Sequence, residues 1–172
     1  VNRSFNKAKF VKNINILNQE GVIFGFDLIY GLPGDNLSGF CNSIDFALNL
    51  MPNNLELFCL SVLPGTDLFD DAKGYGLVFQ EEAPYHVIET PGFSKDDMKK
   101  AAKVSAACNV FYNKGRAVPW FTSLMKALQV KPSKFFKDFI AWYESKKCNF
   151  APKNGKKLSI EELSLACVSH KE

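Results

Sequence analysis

The sequence predicts an α/β fold: a partial (β/α) barrel over residues 1–75, followed by a mostly helical C-terminal extension over residues 76–172. Three observations predict it. Val22-Ile-Phe-Gly-Phe-Asp-Leu-Ile-Tyr30 is a nearly unbroken apolar run closed by the turn sequence Gly31-Leu-Pro-Gly34, as expected of a strand buried on both faces. A second run, Leu55-Glu-Leu-Phe-Cys-Leu-Ser-Val-Leu63, is closed by Pro64-Gly65, and a helical pattern lies between the two. Strand, helix and strand with short connections imply parallel strands and a right-handed crossover. Beyond Gly65 the apolar spacing becomes mainly helical.

Taken in order, Phe10, Val11, Ile14 and Leu17 predict an amphipathic helix over 5–19, and the first strand follows over 22–30. Phe40, Ile44, Ala47, Leu48 and Met51 predict a second helix, with Ser38 as its cap and Pro52-Asn-Asn54 as its end. The second strand spans 55–63. Thr66 to Lys73 suits a short helix stopped at Gly74, and Tyr85 to Glu89 reads as extended. Ser94 with Asp97 makes a capping box for a long helix carrying Met98, Ala101, Ser105, Cys108 and Tyr112 on one stripe. Phe135, Phe136, Phe139, Ile140 and Tyr143 mark another helix. A basic linker over 153–157 leads to a last short helix capped by Ser159 and Glu162.

Composition narrows the function. A net charge of +3, with lysines spread over several helices, argues against a dedicated nucleic-acid surface. No apolar run approaches the ~20 residues of a membrane span, and the polar start Val1-Asn-Arg-Ser-Phe-Asn-Lys7 does not read as a signal peptide. Cys41, Cys59, Cys108, Cys148 and Cys167 are scattered and form no CxxC pair, so no zinc or iron–sulfur site is suggested. Reduced thiols in a cytoplasmic protein are the expectation. The chain does not begin with Met, which suggests a piece of something longer.

Asp27 is the candidate that stands out locally. A carboxylate in an apolar strand is costly unless something pairs with it, and the C-terminal ends of parallel strands carry ligand sites. Holding a neighbouring loop is the structural alternative. By period-2 alternation, Val22, Phe24, Phe26 and Leu28 share one face of the first strand, and Ile23, Gly25, Asp27 and Ile29 the other. In the second strand Phe58, Leu60 and Val62 oppose Leu57, Cys59 and Ser61. Helices over one face and a lumen on the other would place Ile23, Ile29 and Leu57 toward the lumen.

Asn2-Arg3, the helix after it, Phe26-Asp-Leu-Ile-Tyr-Gly-Leu-Pro-Gly-Asp35, Pro52 and Leu60-Ser-Val-Leu-Pro-Gly-Thr66 together resemble the later half of a radical S-adenosylmethionine (SAM) barrel. The likeness is to the group that contains oxygen-independent coproporphyrinogen oxidase and the cobalamin-binding radical SAM proteins. Pro84-Tyr85 and Gly115-Arg-Ala-Val-Pro-Trp120 are similar to the cobalamin-binding branch with its helical extension. The resemblance implies a parent oxidoreductase that cleaves SAM reductively at a [4Fe-4S] cluster, with cobalamin as a further cofactor of the parent. It implies Arg3 as a partner for the SAM carboxylate, a role suited to a bidentate cation. It implies Asp27 beside the ribose, Ile29 along the adenine, and Ser61 beside the adenine through its backbone. Leu63 is a further candidate for the adenine wall. The family's CxxxCxxC cluster loop does not occur in this sequence, so the chain is expected to be a fragment, inert by itself, that supplies part of the SAM-binding wall.

Tyr85 and His86 are candidates for a substrate opening, while Arg116 and Trp120 read as packing residues. Two other classes of function compete: a nucleotide or phosphate cradle built on Gly31-Leu-Pro-Gly34, and a protein-interaction module. The expected partner is the missing N-terminal half of the barrel. The strand edge left exposed by that half's absence is expected to be buried, either by the chain's own C-terminal segment folding across it or, in preference, by edge-to-edge pairing in a homodimer.

Overall fold

The computed structural model describes residues 6–145 and has a mixed α/β architecture. Helix α1, Lys7–Gln19, starts where the Asn6 side chain accepts from the Lys9 amide. Strand β1, Gly25–Tyr30, begins three residues later than the apolar run, and helix α2, Leu37–Asn49, follows it. Strand β2, Asn54–Cys59, pairs parallel with β1 in the register Gly25↔Asn54 through Tyr30↔Cys59. The cap of α2 is Asn36, whose side chain accepts from the Gly39 amide, rather than Ser38.

Beyond β2 lies a one-turn helix α3, Asp67–Asp70, capped by Thr66 and shorter than the helix expected over 66–73. A short antiparallel pair follows, β3 (Val78–Phe79) with β4 (Val87–Glu89). Helix α4, Lys95–Cys108, has the predicted box: the Ser94 hydroxyl accepts from the Asp97 amide and donates to its carboxylate. Helix α4 then runs into a π-helical stretch, Asn109–Lys114. Helix α5, Val118–Leu128, and helix α6, Pro132–Ser145, complete the described residues. The last predicted helix, at Ser159 and Glu162, lies outside them.

One core joins the strand pair to the extension. Phe40 and Ile44 of α2, Leu55 of β2, Phe93, Val104 of α4, Phe121 of α5 and Phe136 of α6 are all fully buried in it. Phe121 stands at the centre of an aromatic group, with Tyr112, Phe135 and Phe136 at 5.4, 5.7 and 5.6 Å between ring centroids. Burial on this scale is what holds so short a sheet, since two strands alone are barely stable in water. A buried carboxylate ties α2 to α6: Asp45 accepts from the amide and the hydroxyl of Ser133 at 2.8 and 3.0 Å. In the segment expected to pack the extension, Ala117 and Phe121 are the buried residues. Arg116 and Trp120 are exposed, because the chain turns at Arg116 with φ 48° before α5 starts.

Candidate functional site

The two edges of the parallel sheet differ in kind. By strand alternation the odd-numbered residues of β2 direct their backbone groups away from β1. The Asn113 side chain meets Leu55 there, its carbonyl accepting from the Leu55 amide and its amide donating to the Leu55 carbonyl, both at 3.0 Å. The Ser105 hydroxyl donates to the Leu57 carbonyl at 2.9 Å. An asparagine and a serine thus take the place of a neighbouring strand. Strand β1, in contrast, has β2 as its single partner among the described residues.

The two faces differ as well. Phe26, Leu28 and Tyr30 lie under α1 and α2, with Phe10 5.8 Å from Phe26 and Phe40 5.3 Å from Tyr30 between ring centroids. The opposite face is open. Ile23 is 82% exposed, Ile29 42% and Phe58 49%, and Asp27 lies among them, opposite Glu56 in the register. Parallel sheets are rarely left bare on one face, and each such aliphatic or aromatic side chain gains about 1.5–3 kcal/mol on full burial.

Asp27 and Ile29 therefore share this open face, as alternation predicts. Leu57 does not: it is 8% exposed and belongs to the helix-covered face, and Phe58 takes the position expected of it. The reason is register, because Glu56 and Phe58 align with Asp27 and Ile29 across the pair. Ser61 lies two residues past the end of β2, half-buried, in an isolated antiparallel bridge with His86. The bridge is closed by the Val62 amide donating to the Tyr85 carbonyl and the Val87 amide donating to the Leu60 carbonyl. Leu63 is exposed. Arg3 lies outside the described residues. Sequence reasoning missed Glu56 and Phe58 as neighbours of Asp27; the period-2 pattern of Asn54, Glu56 and Phe58 was the signal available.

The turn after β1 is built for packing. Gly31 has φ +84°, and a Cβ there would stand 2.9 Å from the Met98 terminal carbon, so α4 approaches the strand end only over a glycine. The first turn of α2, where an anion would be held, is met by a carboxylate of the chain itself: Asp35 accepts from the Asn36 amide at 2.8 Å and lies against Gly39. That position already holds a negative charge, which disfavours a phosphate there.

Of the described cysteines, Cys41 is buried in α2, Cys108 is buried at the end of α4, and Cys59 is half-buried at the end of β2. Burial pushes the Cys59 and Cys108 thiols up, so both stay protonated. Among the described residues no three His, Cys, Asp or Glu side chains come together as a metal site, so these residues do not fit an iron–sulfur cluster.

The fold and site define an α/β protein with a short parallel sheet, capped on one edge by a helical extension and, among the described residues, open on the other. A family model described as "Protein of unknown function (DUF4080)" matches residues 73–160, just over half of the chain, and the chain belongs to that family. The matched region starts in the turn after α3 and takes in β3, β4, α4, α5 and α6. No curated protein matches the chain. Among the described residues no helix is long and apolar enough to cross a membrane.

Proposed function

We propose that β1 and β2 are the last strands of a radical SAM-type (β/α) barrel and that their open face is part of its SAM-binding wall. One observation carries the reading: a carboxylate, Asp27, lies beside apolar side chains on the uncovered face of a parallel sheet whose β1 edge is also uncovered. The barrel-like motifs around Asp27 and Ser61 support it. Asp27 would accept hydrogen bonds from the ribose hydroxyls, Ile29 and Phe58 would flank the adenine, and backbone groups near Ser61 would hold its edge. Arg3 keeps the role of carboxylate partner that the resemblance implies. In this class of protein the cluster and SAM together supply hydrogen-atom abstraction. The described residues do not hold the cluster, so its ligands would come from the first half of the barrel, and the chain alone would be inactive.

The test is a calorimetric titration with SAM of the protein that carries the whole barrel. Asp27→Asn exchanges a charged acceptor for a neutral one and should weaken binding by about 1–3 kcal/mol. Unchanged affinity would return Asp27 to a structural role. The open β1 edge equally favours strand addition by a partner chain, but Asp27 on the sheet face has no part in that reading.

A further inference from the structure

A second candidate site lies at the C-terminal ends of β1 and β2, where the family region meets the strands. A cavity of about 280 Å³ opens there, with Tyr30 and Cys59 from the strand ends, His86 from the loop before β4, and Lys95 and Lys99 from the first turns of α4. Val87 and Met98 are among its apolar walls. Tyr30 and Cys59 belong to the helix-covered face of the sheet, so the cavity is distinct from the open face around Asp27.

Its charge is one-sided. Lys95, Lys99 and His86 line it, and no Asp or Glu among the described residues does. Lys99 has Asp96 at 3.8 Å, but both side chains are more than three-quarters exposed, so the pair is weak and easily exchanged. Asp97, the other acid of that turn, is held by Lys100 and Ser94. Cys59 adds no negative charge, because burial keeps its thiol protonated and the thiol donates to the Val87 carbonyl at 3.6 Å. His86 is fixed by its backbone, which bridges to Ser61 and exchanges bonds with Gln80, and it is one of the residues that line the cavity.

We infer that this cavity binds a small organic anion: an apolar body of about one ring carrying a carboxylate or phosphate. Mostly apolar walls with a few convergent polar groups are the usual form of a small-molecule site, and this volume lies just under the range of sites for drug-sized ligands, which suits a smaller one. Lys95 and Lys99 meet the anionic head, His86 orients it, and Val87 and Met98 cover the ring. Neither SAM nor a completed barrel is required.

The test uses the 172-residue chain, with the His86 ring and backbone amides followed by NMR. Phenyl phosphate should shift the His86 ring signals saturably, and benzyl alcohol should not. Benzoate compared with phenyl phosphate tells which head group is preferred. Lys95→Ala with Lys99→Ala should weaken binding roughly tenfold or more, a loss of about 1.4 kcal/mol. Lys126→Ala, on α5, should leave it unchanged. No saturable shift of His86, or equal affinity in the double variant, would overturn the inference; a normal amide spectrum of that variant shows that it still folds.

Discussion

The outer side of β2 and the outer side of β1 present the same backbone chemistry and opposite solutions to it. Beside β2, the α4 and π-helical segment supplies Asn113 and Ser105 as substitutes for a strand, and the whole helical extension packs behind them. Beside β1 the described residues supply nothing, and Ile23, Ile29 and Phe58 stay in water on the adjoining face. An unpaired edge invites pairing, and proteins usually blunt it. The extension does so on one side alone. Among the described residues the sheet can therefore grow past β1 and not past β2.

The sealed side should be the expensive one to damage. Phe121→Ala removes the ring at the centre of the aromatic group and should cost about 3–5 kcal/mol in chemical denaturation. Asn113→Ala should cost less, about 1–2 kcal/mol, because it strips the partner from the Leu55 amide and leaves the Leu55 carbonyl with the weak Cys108 thiol donor at 4.0 Å. Its specific mark would be faster hydrogen exchange at the Leu55 amide. A loss of stability without that change would mean that Asn113 matters only for the π-helical stretch.

The open side should behave in the reverse way. Ile29→Lys should change the stability of the chain by less than about 0.5 kcal/mol, since the side chain is already substantially exposed. Self-association through the β1 edge, seen by sedimentation, should survive the same substitution, because Ile29 projects from the sheet face and not from the edge. A large loss of stability in the monomer would show that this face is part of the chain's own core.

The difference between the two sides also marks what the sequence conceals. The faces of β1 were legible because Phe24, Phe26 and Leu28 alternate cleanly with Ile23, Gly25, Asp27 and Ile29. The faces of β2 were not, because Phe58 is as apolar as a core residue and only its register opposite Ile29 places it outside. The Ser94 and Asp97 box was readable from spacing alone. Helix α5 was missed, since Gly115 and Pro119 punctuate the chain where it starts. Neither the Asn113 clasp nor the Asp45–Ser133 tie could be foreseen, as each joins residues more than fifty positions apart. His86 reads from the sequence as a candidate for a substrate opening, but the cavity it lines was not legible, because that depends on its bridge to Ser61 and on lysines of α4 distant in the chain.

Amide hydrogen exchange, measured residue by residue at several protein concentrations, tests the asymmetry of the sheet most directly. By alternation the Asp27 and Ile29 amides face the open edge, the Leu28 amide faces β2, and the Leu55 amide is held by Asn113. Leu28 and Leu55 should exchange slowly at every concentration. Asp27 and Ile29 should exchange fast in dilute solution and slow only as rising concentration brings a second edge to pair with theirs. Protection of Asp27 and Ile29 equal to that of Leu28 at the lowest concentration would contradict the account, because the β1 edge would then already be covered within a single chain.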